Sequence, residues 1–249
     1  MNYADTHMHA LFAVDDGPST EKEMFQMVDA AYDDGARLIC LTPHFHPGYF
    51  GDNRAKAESA FQTLLDYENT MHPDLKLYLA NELRYSRSCI SWLDDGMCRT
   101  LGKTNRVLVD FSEDEDIRII IGGVERLLSA GYVPVLAHVE RYTELRGKKI
   151  ILQELRDNGV LLQMDSKSVF NGFGLITKVW SRTILDARLI DIVASDAHDI
   201  SRRTPGIGQC YRYIAKKCGT DYANAVCRDF PQKIILGKDE REEEGSIYG

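Results

Sequence analysis

The sequence predicts an α/β fold of one domain, residues 1–249, in which seven parallel strands form an incomplete or distorted barrel. Short apolar runs typical of buried parallel strands alternate with amphipathic runs of helical spacing. The 44% hydrophobic content is sufficient for one large core, and no internal repeat or Pro/Gly/Ser-rich linker divides the chain. Seven such units favour a (βα)7 barrel over a Rossmann sheet.

The candidate strands are short apolar runs that most often contain Val, Ile or Leu. They are residues 2–6, 37–42, 76–81, 106–111, 133–137, 160–164 and 190–195.

Helix signals separate these strands. Thr20 and Glu23 form a capping box, which is followed by apolar residues at helical spacing and by Gly35 as a stop signal. Ser112 and Glu115 predict a second capping box, with an apolar face over residues 117–128. Residues 148–158 and 205–217 are further predicted helices, and the acidic residues 238–249 are predicted to be a solvated tail.

Composition excludes several classes of function. The net charge of −8 and the pI near 5.4 argue against binding to nucleic acid phosphate, which needs a basic surface. No apolar run is long enough to span a bilayer, and the N-terminus lacks the basic and apolar regions of a signal peptide. We therefore expect a cytoplasmic protein without membrane insertion.

The six cysteines argue against thiolate chemistry. They form no C-x-x-C pair, as expected of reduced cytosolic thiols. A thiolate phosphatase needs an Arg six residues after its Cys, and none of the six cysteines has one. Gly96 to Thr104 has the wrong glycine spacing for a P-loop, and the absence of H-E-x-x-H argues against a zincin protease.

Histidines and carboxylates follow the predicted strands. Six of the seven histidines lie just beyond a strand end, whereas His72 does not and is interpreted as a surface residue. The carboxyl ends of parallel barrel strands share one face, so these side chains are expected to converge. The candidates are His7, His9, Asp15, Asp16, His44, His46, Glu82, Asp110, His138, Asp165, Asp196 and His198.

Imidazole and carboxylate are ligands that suit Zn²⁺, Mn²⁺ or Fe²⁺, and shared carboxylates allow two or three ions to lie close together. Such a cluster can supply a hydroxide nucleophile and bind phosphoryl oxygens. Arg141 and Arg203 each follow a candidate ligand by a few positions, and guanidinium suits phosphate recognition. They are the candidate substrate-binding residues.

Simpler interpretations exist for several of these residues. Asp15 and Asp16 precede Gly17-Pro18 and can begin a turn, and His46 can lie in a solvated loop. Glu82 can form an ion pair with Arg84 or Arg87, Asp110 can contribute to capping with Ser112, and Arg203 can be a solvated arginine. Asp196 and His198 are harder to explain, because burying both after an apolar strand is costly without a compensating partner.

Six motifs together resemble the polymerase-and-histidinol-phosphatase (PHP) superfamily, and more narrowly the bacterial tyrosine-protein phosphatases of capsular and exopolysaccharide gene clusters. They are D-T-H-M-H at 5–9, V-D-D-G-P at 14–18, T-P-H at 42–44, N-E at 81–82, A-H-V-E-R-Y at 137–142, and S-D-A-H at 195–198 followed by Arg203.

The resemblance implies a distorted seven-stranded barrel and a trinuclear metal centre, usually with manganese, although Fe, Zn or Mg would also be compatible. The implied ligand sets are His7, His9, Glu82 and Asp196; Glu82, Asp110 and His138; and Asp16, His44 and His198. Arg141 and Arg203 match the phosphate-binding arginines. Asp110 stands where the family usually has Glu, and residues 45–47 and 165–174 match poorly.

Together with these residues, the resemblance implies a metal-dependent protein-tyrosine phosphatase that acts by attack of metal-bound hydroxide. By resemblance, its partner is a bacterial tyrosine kinase that controls polysaccharide assembly. One alternative is a small-molecule phosphatase of the histidinol-phosphate type. The other is a metal-binding regulatory protein with weak catalysis, which Asp110 makes conceivable.

Overall fold

The structure, a computed structural model, describes residues 2–237 and shows an α/β fold built on a curled parallel sheet. Every strand pair is parallel. One sheet has the order β1-β2-β4 and the other β3-β5-β6-β7-β8-β9. The strands are β1 Tyr3–Met8, β2 Ala36–Leu41, β3 His44–Phe45, β4 Lys76–Leu79, β5 Glu82–Arg84, β6 Arg106–Asp110, β7 Val133–Leu136, β8 Leu161–Asp165 and β9 Ile192–Ala194.

All seven predicted strands are present, but some bounds were wrong. The first strand continues through His7 to Met8. The runs at 37–42 and 76–81 are each followed by a short separate strand, so His44 begins β3 and Glu82 begins β5. Pro43 has no backbone N–H and interrupts one of these runs, while its carbonyl accepts from Glu82 N at 3.2 Å.

Backbone hydrogen bonds place the segment after β9 beside β1. Asp196 N donates to His7 O, and His9 N donates to Ala197 O, both at 2.9 Å. Met8 and Ala197 form a parallel bridge. The first and last strands therefore bring His7, His9 and Asp196 into one neighbourhood.

Helices cover the outside of the sheet. They are α1 Glu21–Asp34, α2 Pro47–Phe50, α3 Arg54–Met71, α4 Cys89–Asp94, α5 Ile117–Ser129, α6 Lys149–Asp157, α7 Leu175–Asp186, α8 Ile207–Cys218, α9 Thr220–Asn224 and α10 Phe230–Leu236. Short 3₁₀ turns span Val139–Arg141 and Thr143–Leu145, and a π turn spans Ala225–Asp229. The helices predicted at 148–158 and 205–217 correspond to α6 and α8.

The first capping box is confirmed. Thr20 Oγ1 accepts from Glu23 N at 3.2 Å, and Glu23 Oε2 accepts from Thr20 N at 3.1 Å. The helix ends at Gly35, whose φ of 112° suits glycine. Its buried side is Met24, Met27, Val28 and Ala31.

The second capping box was wrong. Helix α5 begins at Ile117, and its N-cap is Asp116, whose carboxylate accepts from Arg118 N at 2.8 Å. Ser112 Oγ instead accepts a hydrogen bond from Arg84. This long-range contact holds Ser112 in the loop after β6, away from the start of the helix.

The core of the described residues has one inner cluster and two outer ones, and the smaller outer cluster packs α1 and α3 against β1 and β2. Inward side chains of β2, β6, β7 and β9 form one cluster with Ile234 and Ile235 of α10. The larger outer cluster lies between the sheet and the helices, and it includes Leu83, Val109, Ile120 and Ile184. The inner cluster supports the strands whose ends carry the polar residues described below.

Across residues 2–237, no helix combines the length and apolar character needed to cross a bilayer. The predicted acidic tail, with Tyr248, lies outside the described residues.

Candidate metal centre

Glu82 is a buried carboxylate that four imidazoles surround. Its Oε1 lies 3.4 Å from His7 Nε2 and 3.0 Å from His138 Nε2. Its Oε2 lies 3.3 Å from His9 Nε2 and 2.7 Å from His44 Nδ1. The histidines come from β1 and the residue after it, from β3, and from the loop after β7. The first residue of β5 thus collects side chains from distant parts of the chain.

Asp196 is a second buried carboxylate on the same imidazoles. Its Oδ1 lies 3.4 Å from His7 Nε2 and 3.6 Å from His9 Nε2, and those two nitrogens are 3.0 Å apart. Asp196 has φ of 49° and His138 has φ of 34°, values that non-glycine residues rarely adopt. Two of the five non-glycine residues with positive φ in residues 2–237 therefore lie at this site, and such strain is common at functional sites.

Two further groups adjoin this pair. His138 Nε2 lies 3.6 Å from Asp110 Oδ1, and Glu82, Asp110 and His138 offer ligand atoms within 4.8 Å of one another. Asp16 Oδ1 lies 3.3 Å from both His44 Nε2 and His198 Nε2. The same limit of 4.8 Å groups those three residues with His9. The structure thus brings together all nine residues that the family resemblance implies as ligands.

This donor set fits divalent cations. Glu82 Oε2 and His198 Nε2 are buried but make no hydrogen bond of regular geometry, although ion-pair partners lie within 3.3 Å. Buried polar atoms left in this way are costly unless a charge compensates them. Imidazole and carboxylate are ligands of Mn²⁺, Fe²⁺ and Zn²⁺.

The local charges also favour a cation. Burial lowers the pKa of His7, but the carboxylates of Glu82 and Asp196 outweigh it and raise the pKa to about 10. Burial, helped by positive charge on His9, lowers the pKa of His198 to about 4. Glu82 and Asp196 therefore favour a positive charge beside His7, which a proton or a metal ion can supply.

Gln163 and Asp15 contact the imidazoles from behind and fix their orientation. Gln163 Oε1 lies 3.0 Å from His7 Nδ1 and also accepts from His138 N at 3.3 Å. Asp15 Oδ2 lies 2.8 Å from His9 Nδ1 and accepts from His44 N at 2.9 Å. The interpretation of Asp15 as a turn residue was therefore incomplete. Sequence reasoning missed Gln163, since a glutamine within an apolar strand carries no ligand signal.

The two predicted arginines converge on Asp196. Arg141 Nη1 donates to Asp196 Oδ2 at 2.9 Å and to Asp165 Oδ2 at 3.2 Å. Arg203 Nη2 donates to the same oxygen of Asp196. Arg141 also donates from Nε to Glu113 Oε1 at 2.9 Å. Both guanidinium groups therefore bind the Oδ2 atom of Asp196, which is itself a candidate metal ligand.

A third arginine, Arg84, lies in the same site. The alternative that pairs Glu82 with Arg84 was wrong, because Arg84 Nη1 donates to Asp110 Oδ2 at 2.6 Å. The cavity above these groups has a volume of about 340 Å³, and Arg84, Arg141 and Arg203 are among its lining residues. Three cations beside a cluster of metal-ligand candidates make this cavity suitable for an oxyanion.

Two histidines lie outside the centre. His46 packs beside Tyr49, with ring centroids 5.9 Å apart, and belongs to none of the ligand groups above. The interpretation of His72 as a plain surface residue was wrong: its Nδ1 lies 2.6 Å from Oε2 of the buried Glu68, and its ring packs on Tyr32. Neither histidine therefore belongs to a group that contains one of the nine candidate metal ligands.

A family model described as "Capsular polysaccharide synthesis, CpsB/CapC" matches residues 3–236. The chain belongs to the CpsB/CapC family. The resemblance predicted from the motifs is thereby confirmed, and the match covers every residue of the candidate centre.

Curated relatives of this CpsB/CapC chain carry phosphatase names. Tyrosine-protein phosphatase CpsB of Streptococcus pneumoniae is 32% identical over 237 residues, which cover 93% of this chain and 98% of the relative. Tyrosine-protein phosphatase YwqE of Bacillus subtilis (strain 168) is 30% identical over 219 residues, with coverage of 87% and 85%.

Solved structures agree in fold. One of them belongs to the crystal structures of YwqE from Bacillus subtilis and CpsB from Streptococcus pneumoniae, which are described as unique metal-dependent tyrosine phosphatases. It aligns with a TM-score of 0.81 and 26% identity, and the alignment covers 96% of both chains. The phosphotriesterase homology protein of Escherichia coli aligns with a TM-score of 0.57 over 94% of this chain and 97% of that chain, at 11% identity. The latter likeness concerns the fold alone.

Proposed function

We propose that this CpsB/CapC protein is a metal-dependent protein-tyrosine phosphatase. One observation carries the proposal: the Glu82 carboxylate contacts four imidazoles, and it lies in a cavity that three arginines also line. The names of the relatives and the description of the YwqE and CpsB structures support the same activity.

Nine residues would hold three metal ions. His7, His9, Glu82 and Asp196 would bind one; Glu82, Asp110 and His138 a second; Asp16, His44 and His198 a third. Manganese is the proposed metal, and Fe, Zn or Mg would also be compatible. When bound, such ions lower the pKa of water and neutralise charge on a phosphoryl group. The nucleophile would then derive from water.

Arg141 and Arg203 would bind phosphoryl oxygens of the substrate. Both already donate to a carboxylate oxygen, so their donors are directed at an oxyanion position. Asp165 and Glu113 hold Arg141 from its other sides and restrict its orientation. Preorganised donors of this kind stabilise the charge that develops as the bond between phosphorus and the tyrosine oxygen breaks.

The proposed substrate is a phosphotyrosine protein, namely a bacterial tyrosine kinase that controls capsular polysaccharide assembly. The family description, which concerns capsular polysaccharide synthesis, supports this partner. We further propose a seven-stranded barrel in which β2 with β3 and β4 with β5 each count as one interrupted strand. The hydrogen bonds of His7 and His9 to residues 196 and 197 support closure between the first and last strands.

Hydrolysis of a phosphotyrosine peptide and of histidinol phosphate, each with Mn²⁺ and with chelator, tests the proposal. We expect metal-dependent hydrolysis of the peptide in preference to histidinol phosphate. Activity that survives complete metal removal would contradict the mechanism. Preference for histidinol phosphate would favour a small-molecule phosphatase, and full metal occupancy without hydrolysis of any phosphoester would favour a regulatory metal-binding protein.

A further inference from the structure

Helix α7 presents three large apolar side chains to solvent. Leu175, Ile176 and Val179 have exposed fractions of 67%, 65% and 58%. Single exposed apolar residues are ordinary on a protein surface, but a group within one helical turn marks an interaction surface. We call these three residues the α7 surface.

The α7 surface begins next to a proposed phosphate-binding residue. The guanidinium carbon of Arg141 lies 4.7 Å from the ring centroid of Phe173. Leu175 follows two residues later, and consecutive Cα atoms are about 3.8 Å apart, so its Cα lies within roughly 8 Å of that of Phe173. A polypeptide that presents a phosphate to Arg141 is thus brought close to the start of α7.

The loop before α7 is attached to the loop of the other proposed phosphate-binding arginine. Lys167 Nζ donates to Arg202 O at 3.1 Å and to Thr204 Oγ1, on either side of Arg203. Arg182 Nε of α7 donates to Val169 O at 3.0 Å. These contacts hold α7 and the cavity rim as one continuous surface.

This part of the chain is also positively charged. Residues 166–186, which run to the end of α7, include Lys167, Lys178 and Arg182 and one carboxylate, Asp186, although the whole chain has a net charge of −8. A basic segment in an acidic protein favours a negatively charged partner. The same region includes Phe173, which contacts Arg141 of the cavity lining.

We propose that the α7 surface binds the polypeptide that flanks the phosphotyrosine, and that this polypeptide is acidic with an apolar side chain seated on Ile176 and Val179. The inference rests on the proposed function and adds a second point of substrate recognition. It predicts that a phosphotyrosyl peptide contacts α7, whereas p-nitrophenyl phosphate occupies the cavity alone.

The test compares two substrates in the variant Ile176→Ser/Val179→Ser. With an acidic, leucine-containing phosphotyrosyl peptide, we expect KM to rise about tenfold, which corresponds to roughly 1.4 kcal/mol of lost binding. With p-nitrophenyl phosphate, KM and kcat should stay at the wild-type values. Ile150→Ser is the matched control, because Ile150 is 75% exposed on α6. It should leave both the KM for the peptide and the KM for p-nitrophenyl phosphate unchanged.

An unchanged peptide KM, or an equal rise for both substrates, would overturn the proposal. If the variant instead loses self-association in sedimentation experiments while its peptide KM is unchanged, the surface belongs to a second copy of this chain and the proposal is wrong. Wild-type protein that hydrolyses neither substrate would contradict the proposed function. Anisotropy of a labelled, non-hydrolysable phosphonate peptide would still compare binding to wild type and variant, and equal affinity would again overturn the inference.

Discussion

Arg84 donates a hydrogen bond to Asp110 across 2.6 Å, from Nη1 to Oδ2, and its other Nη group donates to Ser112. The second oxygen of Asp110, Oδ1, faces His138 Nε2 at 3.6 Å. One carboxylate oxygen is thus held by a guanidinium while the other faces the candidate metal ligands. Asp110 is one methylene shorter than the Glu expected from the family resemblance, so its orientation depends strongly on Arg84.

Arg84→Met is expected to lower kcat/KM about 10- to 100-fold, because a hydrogen bond to a charged group contributes about 1.5–3 kcal/mol. The Mn²⁺ concentration for half-maximal activity should also rise, since the Asp110 carboxylate is no longer held in place. Steady-state kinetics with p-nitrophenyl phosphate at several metal concentrations measure both effects. Arg87→Met is the control, because Arg87 is exposed three positions further on. Equal activity of the two variants would refute this role of Arg84.

Gln163→Leu is expected to weaken metal binding about 10- to 100-fold, as is typical when an outer-shell partner of a ligand is lost. The substitution removes the acceptor that faces His7 Nδ1 and His138 N and leaves the volume of the side chain similar. Metal titration of activity measures the shift. Gln153→Leu on the exposed side of α6 should leave the titration unchanged. A Gln163→Leu titration that overlies the wild-type curve would show that Gln163 only fills space.

Thiol alkylation should leave phosphatase activity unchanged, whereas chelation should abolish it. Five of the six cysteines are buried and Cys218 is partly buried. Burial raises the pKa of Cys40 to about 12, and burial followed by the nearby Asp186 raises the pKa of Cys218. A raised pKa lowers the thiolate fraction at neutral pH, and thiolate is the reactive form. Activity assays after iodoacetamide treatment measure this, and rapid inactivation would indicate a cysteine nucleophile.

Thr20→Ala should lower the free energy of unfolding by about 1 kcal/mol, the usual cost of losing an N-cap. The melting temperature should fall by about 2–4 °C for a chain of this size. Calorimetry of the metal-saturated protein measures the change, and activity should be unaffected, since Thr20 is not among the residues lining the cavity. Thr63→Ala, inside α3, is the matched control and should not destabilise the protein. Equal stability of the two variants would show that the cap at Thr20 contributes little.

The features that could be predicted from the sequence are mostly those that depend on residues close to one another in the chain. The capping box of α1 was predictable because Thr20 and Glu23 are three residues apart and contact each other directly. Seven strands were recognisable from short apolar runs, and the ligand candidates could be found because each lies at or near the end of such a run. Their bounds were less accurate, because the strand pairing that separates β4, which ends at Leu79, from β5, which begins at Glu82, is not encoded in the local apolar pattern.

The tertiary structure decided which of these residues meet. Glu82 and His138 are 56 positions apart, and His7 and Gln163 are 156 apart, so no local periodicity encodes either contact. Arg84 could pair with Glu82 or with Asp110 as far as sequence spacing is concerned. It contacts Asp110 because β5 and β6 are parallel neighbours whose register places Arg84 opposite that residue. The sequence by itself determined the kinds of candidate ligand and their order, and strand register decided their partners.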